Sequence, residues 1–357
     1  MQRHTRQNCW PIYKRILQST DWPILAGPWR SELGFEALYW IPFLQALGIP
    51  PRRLIPISRG GAAALYGSPG GFELYSMRTP KEVRIENLLQ QQRTGSLKQA
   101  HVTAFDRAVI KDAAKELGLT RYHVLHPAWM YQTLVPYWSG QRGLEWIWPR
   151  VLKREQTDHG PELSLGPLPA PEVDTTHLPA HFVAVRFYAR STYPYNEQGM
   201  VCARETIKQL AERMPVVLLH PGVHADEHVD LPCKDIPNVL KLSDLFEVTP
   251  ENNLAIQAAV MKKAQGFVGT YGGLAQLALR LGKPTISFYQ QWLGTALAHK
   301  YLADAMATAM HVPCLVLRVG EVPLLRSVLP ALQPTQSSSG VTQKAFVPRA
   351  KPAEQTV

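Results

Sequence analysis

Residues Gly266–Gln290 read GFVGTYGGLAQLALRLGKPTISFYQ. Gly266–Gly269 is a short apolar run that ends in glycine, the pattern of a buried strand. At Thr270–Gly273 the backbone opens to close approach, because Gly272 and Gly273 carry no Cβ. Leu274, Leu277, Ala278 and Leu281 then recur at i, i+3, i+4 and i+7, one apolar helix face. Gly282 stands where a helix-ending glycine belongs, and Pro284 blocks continuation. Pro284–Tyr289 returns as a buried strand. A helix that starts from a glycine turn offers free N–H groups and the positive end of its dipole, which suits a phosphate. The alternative is an ordinary strand–helix–strand crossover whose glycines serve packing alone.

The same alternation extends outward. Downstream of residue 180, strands are expected at His181–Phe187, Pro215–His220, Val239–Leu242 and Pro313–Val319. Helices are expected at Glu197–Arg213, from Thr249 (with Pro250 at its first position) to Ala264, at Leu293–Met310 and near Glu321–Leu329. Upstream, Pro23–Gly27 and Arg53–Ile57 read as strands. A helix capped by Ser31 runs to Gly48 with a kink at Pro42. A second helix at Asp106–Leu117, a strand at Arg121–Leu125 and a segment starting at Pro127 follow. Arg150–Ala180 holds five prolines and little periodicity, and reads as a connector. The expected organisation is a basic arm over 1–20, a doubly wound domain over 21–150, a proline-rich linker over 151–180, a second doubly wound domain over 181–332 and a disordered tail over 333–357. The fold class is therefore α/β, with two Rossmann-like domains facing a cleft where ligands gather at the carboxyl ends of the strands.

Composition narrows the function. The chain has 357 residues, 45% hydrophobic and 18% charged, with a formal net charge of +10. That is enough for two cores, and the excess charge favours anionic partners. No helix-turn-helix, zinc-finger or RNA-recognition signature accompanies it, so nucleic acid is not expected. The four cysteines, Cys9, Cys202, Cys233 and Cys314, include no CxxC pair. Neither a signal-peptide core nor an apolar run of about 18 residues occurs. A cytoplasmic protein is expected, with peripheral contact to an anionic membrane face in view of the charge. No GxGxxG follows the first strand of either half, and no P-loop occurs, which lowers hydride transfer and ATP hydrolysis.

The segment Gly273–Tyr289 resembles the donor site of bacterial heptosyltransferase-type enzymes, which have the glycosyltransferase B fold. Where that family has Asp-Thr before the matching glycine and a His three residues after it, this chain has Tyr271-Gly272 and Gln276. The helix and following strand match and the polar donor contacts do not, so the resemblance implies the fold but not the same nucleotide sugar. A weaker match lies in Gly34-Phe-Glu36, six residues before Pro42, where the family places a Gly-Asp pair whose Asp is its base. Glu32, one turn earlier, competes for that role.

Inverting sugar transfer needs a carboxylate to take the acceptor proton and donors for the leaving diphosphate. Glu36 and Glu32 are the candidate bases; first-turn acids also serve the helix dipole. Donor candidates are Arg186 and Arg190 at the end of a strand, Gly269, Thr270, Tyr271, Gly272, Gly273 and Gln276 around the glycine turn, and Glu251 and Asn252 at a helix start. Trp29, Arg30 and Arg59 are the acceptor candidates. His220, His224 and His228 are spaced four apart, but Pro221 and Gly222 make a loop more natural than a helical metal face, and no metal or cofactor is expected. The expected activity is a hexosyl- or heptosyl-type glycosyltransferase, inverting and metal-independent, moving sugar from a nucleotide-sugar donor to a glycan or glycolipid acceptor in surface polysaccharide assembly. A nucleotide-sugar epimerase or hydrolase, or a non-catalytic nucleotide-sugar-binding protein, stays open beside it.

Overall fold

The computed structural model describes residues 15, 17, 19–95, 99–157, 160–223, 228–231 and 236–332. The expected tail, most of the expected basic arm and His224 lie outside these residues.

Two parallel sheets organise the described chain. The second sheet contains Val239–Lys241, Val216–Leu218, Val183–Arg186, Phe267–Thr270, Thr285–Tyr289 and Cys314–Arg318 in that spatial order. Numbered along its own half, this is 3-2-1-4-5-6, the doubly wound order of dinucleotide-binding sheets. The first sheet repeats its beginning: Phe72–Glu73, Leu54–Ser58, Ile24–Ala26 and His123–Leu125 lie side by side as 3-2-1-4, all parallel. In each sheet the order reverses beside the first strand, so each carries a crevice at its carboxyl edge.

Side-chain alternation shows why both sheets are covered on both faces. In the second sheet Ala184 and Val217 join one apolar cluster, while Val183, Val185, Val216 and Leu218 join another. In the first, Ile24 and Ala26 enter the same large cluster as Ala184, and Leu25 enters a third. That large cluster runs from Leu17 to Ala307 and fuses the inner faces of the two halves. Helices Glu197–Ala211 and Ala104–Glu116 supply residues to the two outer clusters.

The stretch that decides the fold is built as its pattern dictates. Phe267–Thr270 is a fully buried strand, Gly273–Arg280 a helix and Thr285–Tyr289 a strand. Gly282, at φ 78°, makes the left-handed turn that ends the helix. Elsewhere local detail departs from expectation. Ser31 does not cap the first helix; Glu32 occupies the cap position, and no side chain bonds to the free amides. Instead of a simple kink at Pro42, residues Glu36–Trp40 widen into a π turn ahead of it. Proline lacks the N–H that would bond four residues back, and opening the turn accommodates that loss. The helix expected from Thr249 starts at Asn253, with Asn252 as its cap; the Asn252 carboxamide accepts from the Thr249 amide, reversing the expected roles. The proline-rich stretch opens with an antiparallel hairpin, Lys153–Thr157 with Gly160–Ser164. Helix Pro80–Thr94, absent from the sequence reading, is closed at its start by a reciprocal Thr79–Glu82 capping box.

Candidate functional site

The carboxyl ends of Val183–Arg186 and Phe267–Thr270 meet where the second sheet reverses order. Directly beyond them a cleft of 310 Å³ opens against the first half. Its walls include Glu32, Arg59 and Arg84 from the first half and Arg190, His228 and Gly273 from the second. Arg30 and Arg186 also reach it, and Glu32 is the one carboxylate among the described lining residues. Such a concave, cationic site fits an anion.

Arg190 stands just past the first strand of the second sheet. One guanidinium nitrogen lies 3.7 Å from the Glu32 carboxylate, across the cleft, and its Nε is buried with no hydrogen-bond partner. Burial works against its charge, but Tyr188 and Glu32 outweigh that and hold it firmly protonated. Gly272 makes the placement sterically feasible: a Cβ there would fall 2.3 Å from the Arg190 guanidinium and 2.4 Å from the Tyr188 hydroxyl. The helix that begins at Gly273 starts at the same opening, with Gly273 and Leu274 lining the cleft. The bend and a carboxylate from the other half therefore share one opening.

Of the two candidate bases, only Glu32 lines that opening, with its side chain half exposed. Glu36 is fully buried. Its Oε1 accepts from the Ser58 hydroxyl at 2.5 Å and the Tyr66 hydroxyl at 2.6 Å, and its Oε2 from Arg59 at 3.3 Å. Burial pushes the Glu36 carboxyl up, against these three donors. Arg59 in turn donates to the Ser31 carbonyl. Glu36 thus holds Arg59 and the segment next to Glu32 rather than facing the cleft.

Two acceptor candidates prove structural. Trp29 is wholly buried, stacked on Trp40 and Tyr131 in the core, and offers no face to a saccharide. Arg30 borders the cleft, but its side chain is enclosed: Nε donates to Asp106 at 2.8 Å, and the other nitrogens to Asn87 and Gln90. His126 contacts the same Asp106 carboxylate at 3.2 Å, and its Nδ1 accepts from the Ala128 amide. Burial raises the Asp106 carboxyl, but His126 and Arg30 outweigh it and hold the group well below the usual carboxylate range.

The remaining donor candidates divide in the same way. Arg186 reaches the cleft but is spent on Asp230 at 2.8 Å and Gln257 at 2.9 Å. Gly269 and Thr270 lie inside the buried strand, and the Thr270 hydroxyl exchanges hydrogen bonds with the Tyr188 backbone. Tyr271 is buried, and Gln276 is packed where a Cβ on Gly34 would strike it. Glu251 and Asn252 do not line the cleft; the neighbouring Asn253 does. His228 lines it, its ring tilted 55° against Tyr188 with centroids 4.2 Å apart, while His220 is largely buried, its proton affinity lowered by burial. Among the described residues no group of His, Cys, Asp and Glu has metal-binding geometry. Sequence reasoning missed Arg84 and Asn87. Both ride on the unpredicted Pro80–Thr94 helix, whose Thr-Pro-x-Glu start was the available signal.

No family model matches the chain, and no curated protein does. Among solved structures it is similar to the E. coli heptosyltransferase WaaC with ADP, at 13% identity and a TM-score of 0.43, covering 87% of this chain and 99% of that one. It is also similar to a glycosyl transferase family 9 structure from Veillonella parvula DSM 2008, at 13% identity and a TM-score of 0.42, covering 86% and 89%. Likenesses at this level settle no chemistry, which rests on the strand order and the cleft.

Proposed function

We propose that the cleft is the active site of a glycosyltransferase of B-type architecture, with a nucleotide-sugar donor on the second half and a glycan or glycolipid acceptor on the first. The observation that carries this reading is the pairing across the cleft of Arg190, beside the glycine-led helix start, with Glu32. A donor diphosphate would take the guanidinium and the amides at Gly273 and Leu274, freeing Glu32 from its ion pair. The Glu32 carboxylate then accepts the proton of the acceptor hydroxyl as that oxygen bonds to the anomeric carbon. The carbon–oxygen bond to the diphosphate breaks, and the nucleoside diphosphate leaves with the electron pair. Its growing charge is met by Arg190 and the helix amides, with no metal required. Attack opposite the leaving group inverts the anomeric centre. Polysaccharide assembly at a membrane face suits this substrate pair.

The test is incubation with UDP, GDP, ADP and CMP sugars, with and without glycan and glycolipid acceptors, followed by product analysis. The reading expects a glycosylated product and free nucleotide only when an acceptor is present. Epimerised or hydrolysed sugar at the same rate without acceptor contradicts it.

A further inference from the structure

Among the described residues the two halves meet through bare backbone at two glycine contacts. At the first, Leu33 and Gly34 lie against Gly273, where the helix that borders the cleft begins. A Cβ on Gly273 would stand 3.0 Å from the Gly34 nitrogen and 3.3 Å from the Leu33 Cβ. One on Gly34 would stand 3.2 Å from the Gly273 Cα and strike the Gln276 carboxamide. At the second, Gly60 and Gly61 meet the opening turn of helix Asn253–Lys263. A Cβ on Gly61 would stand 2.6 Å from the Ala255 Cβ, and one on Gly60 3.0 Å from Leu254. Only residues without a Cβ let the two halves come this close.

The second contact is also a hydrogen bond. The first amides of a helix have no acceptor within it. Asn252 caps this helix, so Ala255 stands third in its first turn, and its amide donates to the Gly60 carbonyl of the other half at 2.8 Å. Gly60 and Gly61 hold positive φ of 65° and 76° at this contact. The Glu73 side chain accepts from both of their amides, at 2.9 and 2.7 Å. Two further bonds brace the same boundary. The Tyr39 hydroxyl pairs with His299 Nδ1 at 2.7 Å, and the Tyr137 hydroxyl donates to the Ala298 carbonyl at 2.8 Å. Swinging the halves apart would break these bonds and uncover the apolar cluster that runs through both. Backbones packed this closely leave no slack for gradual motion.

We propose that these contacts lock the halves together, so that the cleft is built before any ligand arrives and no hinge motion opens or closes it. Glu32 directly precedes Leu33, so the contact that seats the glycine turn also seats the candidate base. For the proposed transfer, on whose reading this consequence rests, the base and the diphosphate-binding turn form one unit. Donor entry then moves the Glu32 and Arg190 side chains alone. The lock itself is tested without a donor or an acceptor, so its failure leaves the nucleotide-sugar reading intact.

The Ala255 amide reports the lock, because its acceptor belongs to the other half. The experiment is hydrogen exchange of the full chain without ligand, read at single amides by NMR. Ala255 is expected to exchange within about a hundredfold of Ala184 and Phe267, whose amides donate to Gly266 and Pro284 at the second sheet. Faster exchange than that means that the halves part while the sheet stays folded, and it overturns the proposal. The second measurement is small-angle scattering with and without UDP, GDP or ADP. The curves should superimpose, and a contraction with any of the three nucleotides overturns the proposal.

Discussion

The two walls of the cleft use arginine in opposite ways. On the first-half wall, Arg30 is fully enclosed and every direction of its fork meets an acceptor from Asp106, Asn87 or Gln90. On the second-half wall, Arg190 has Tyr188, one loose ion pair at 3.7 Å and a buried Nε with no hydrogen-bond partner. A buried guanidinium with complete partners builds the wall, and one with incomplete partners is positioned to receive an anion. The distinction is not in residue type or strand position. It is in how many acceptors the surrounding chain supplies.

The largest effect is expected at Asp106. Asp106→Asn takes the hydrogen-bonded carboxylate from buried Arg30 and leaves only Glu86, 3.9 Å away, as counter-charge; removing one partner of such a pair costs about 3–5 kcal/mol. Denaturant unfolding should show that loss; a change under about 1 kcal/mol would mean Arg30 is not built into the wall as described. At the other wall the expected effect is on function. Glu32→Gln should leave nucleotide affinity and stability near wild type and lower transfer by about 10²–10⁴-fold, the range of general-base removal. Glu36→Gln should act on stability first, because Glu36 lies out of the cleft. If Glu36→Gln alone abolishes turnover in a folded protein, the assignment of the base is reversed.

A smaller effect is expected at Gly272. Gly272→Ala puts a methyl where Arg190 and Tyr188 pack, so nucleotide binding should weaken by about tenfold, or about 1.4 kcal/mol, with little change in melting temperature. Unchanged affinity would mean that the guanidinium position is not set there. The smallest effect is a pH slope. Burial pushes the Glu73 carboxyl from 4.5 up to about 7, against the amides of Gly61, Tyr75 and Gly60. Above pH 4.5 the unfolded chain has released this proton and the folded one has kept it. Stability should therefore fall as pH rises from about 4.5 to 7. Glu73→Gln should remove that part of the slope, and parallel wild-type and variant profiles would contradict it.

Much of the architecture was legible in the sequence because strands buried on both faces and glycine-closed helices leave unambiguous local patterns. The stretch at Phe267–Tyr289 is the clearest case, with its apolar strands, helix face and Gly282 all in place. The candidate site was legible only in part. Arg190, Gly273 and Glu32 reach the cleft because they sit at strand or helix ends, which sequence locates. Trp29, Arg30 and Arg186 occupy similar chain positions, yet tertiary partners from residues far along the chain claim them. No local pattern reports that Asp106 or Asp230 will arrive at an arginine. The Pro80–Thr94 helix was missed for a different reason: its aliphatic residues lie on both sides, so the periodicity that marks a buried face is blurred.

The most direct test is calorimetric titration of the wild type and Arg190→Ala with the nucleoside diphosphate that gives the largest thermal shift among UDP, GDP and ADP. Saturable binding to the wild type and at least a tenfold loss in the variant are expected, with both proteins equally stable. Equal affinity in the two proteins, or no binding of any diphosphate to the wild type, would contradict it.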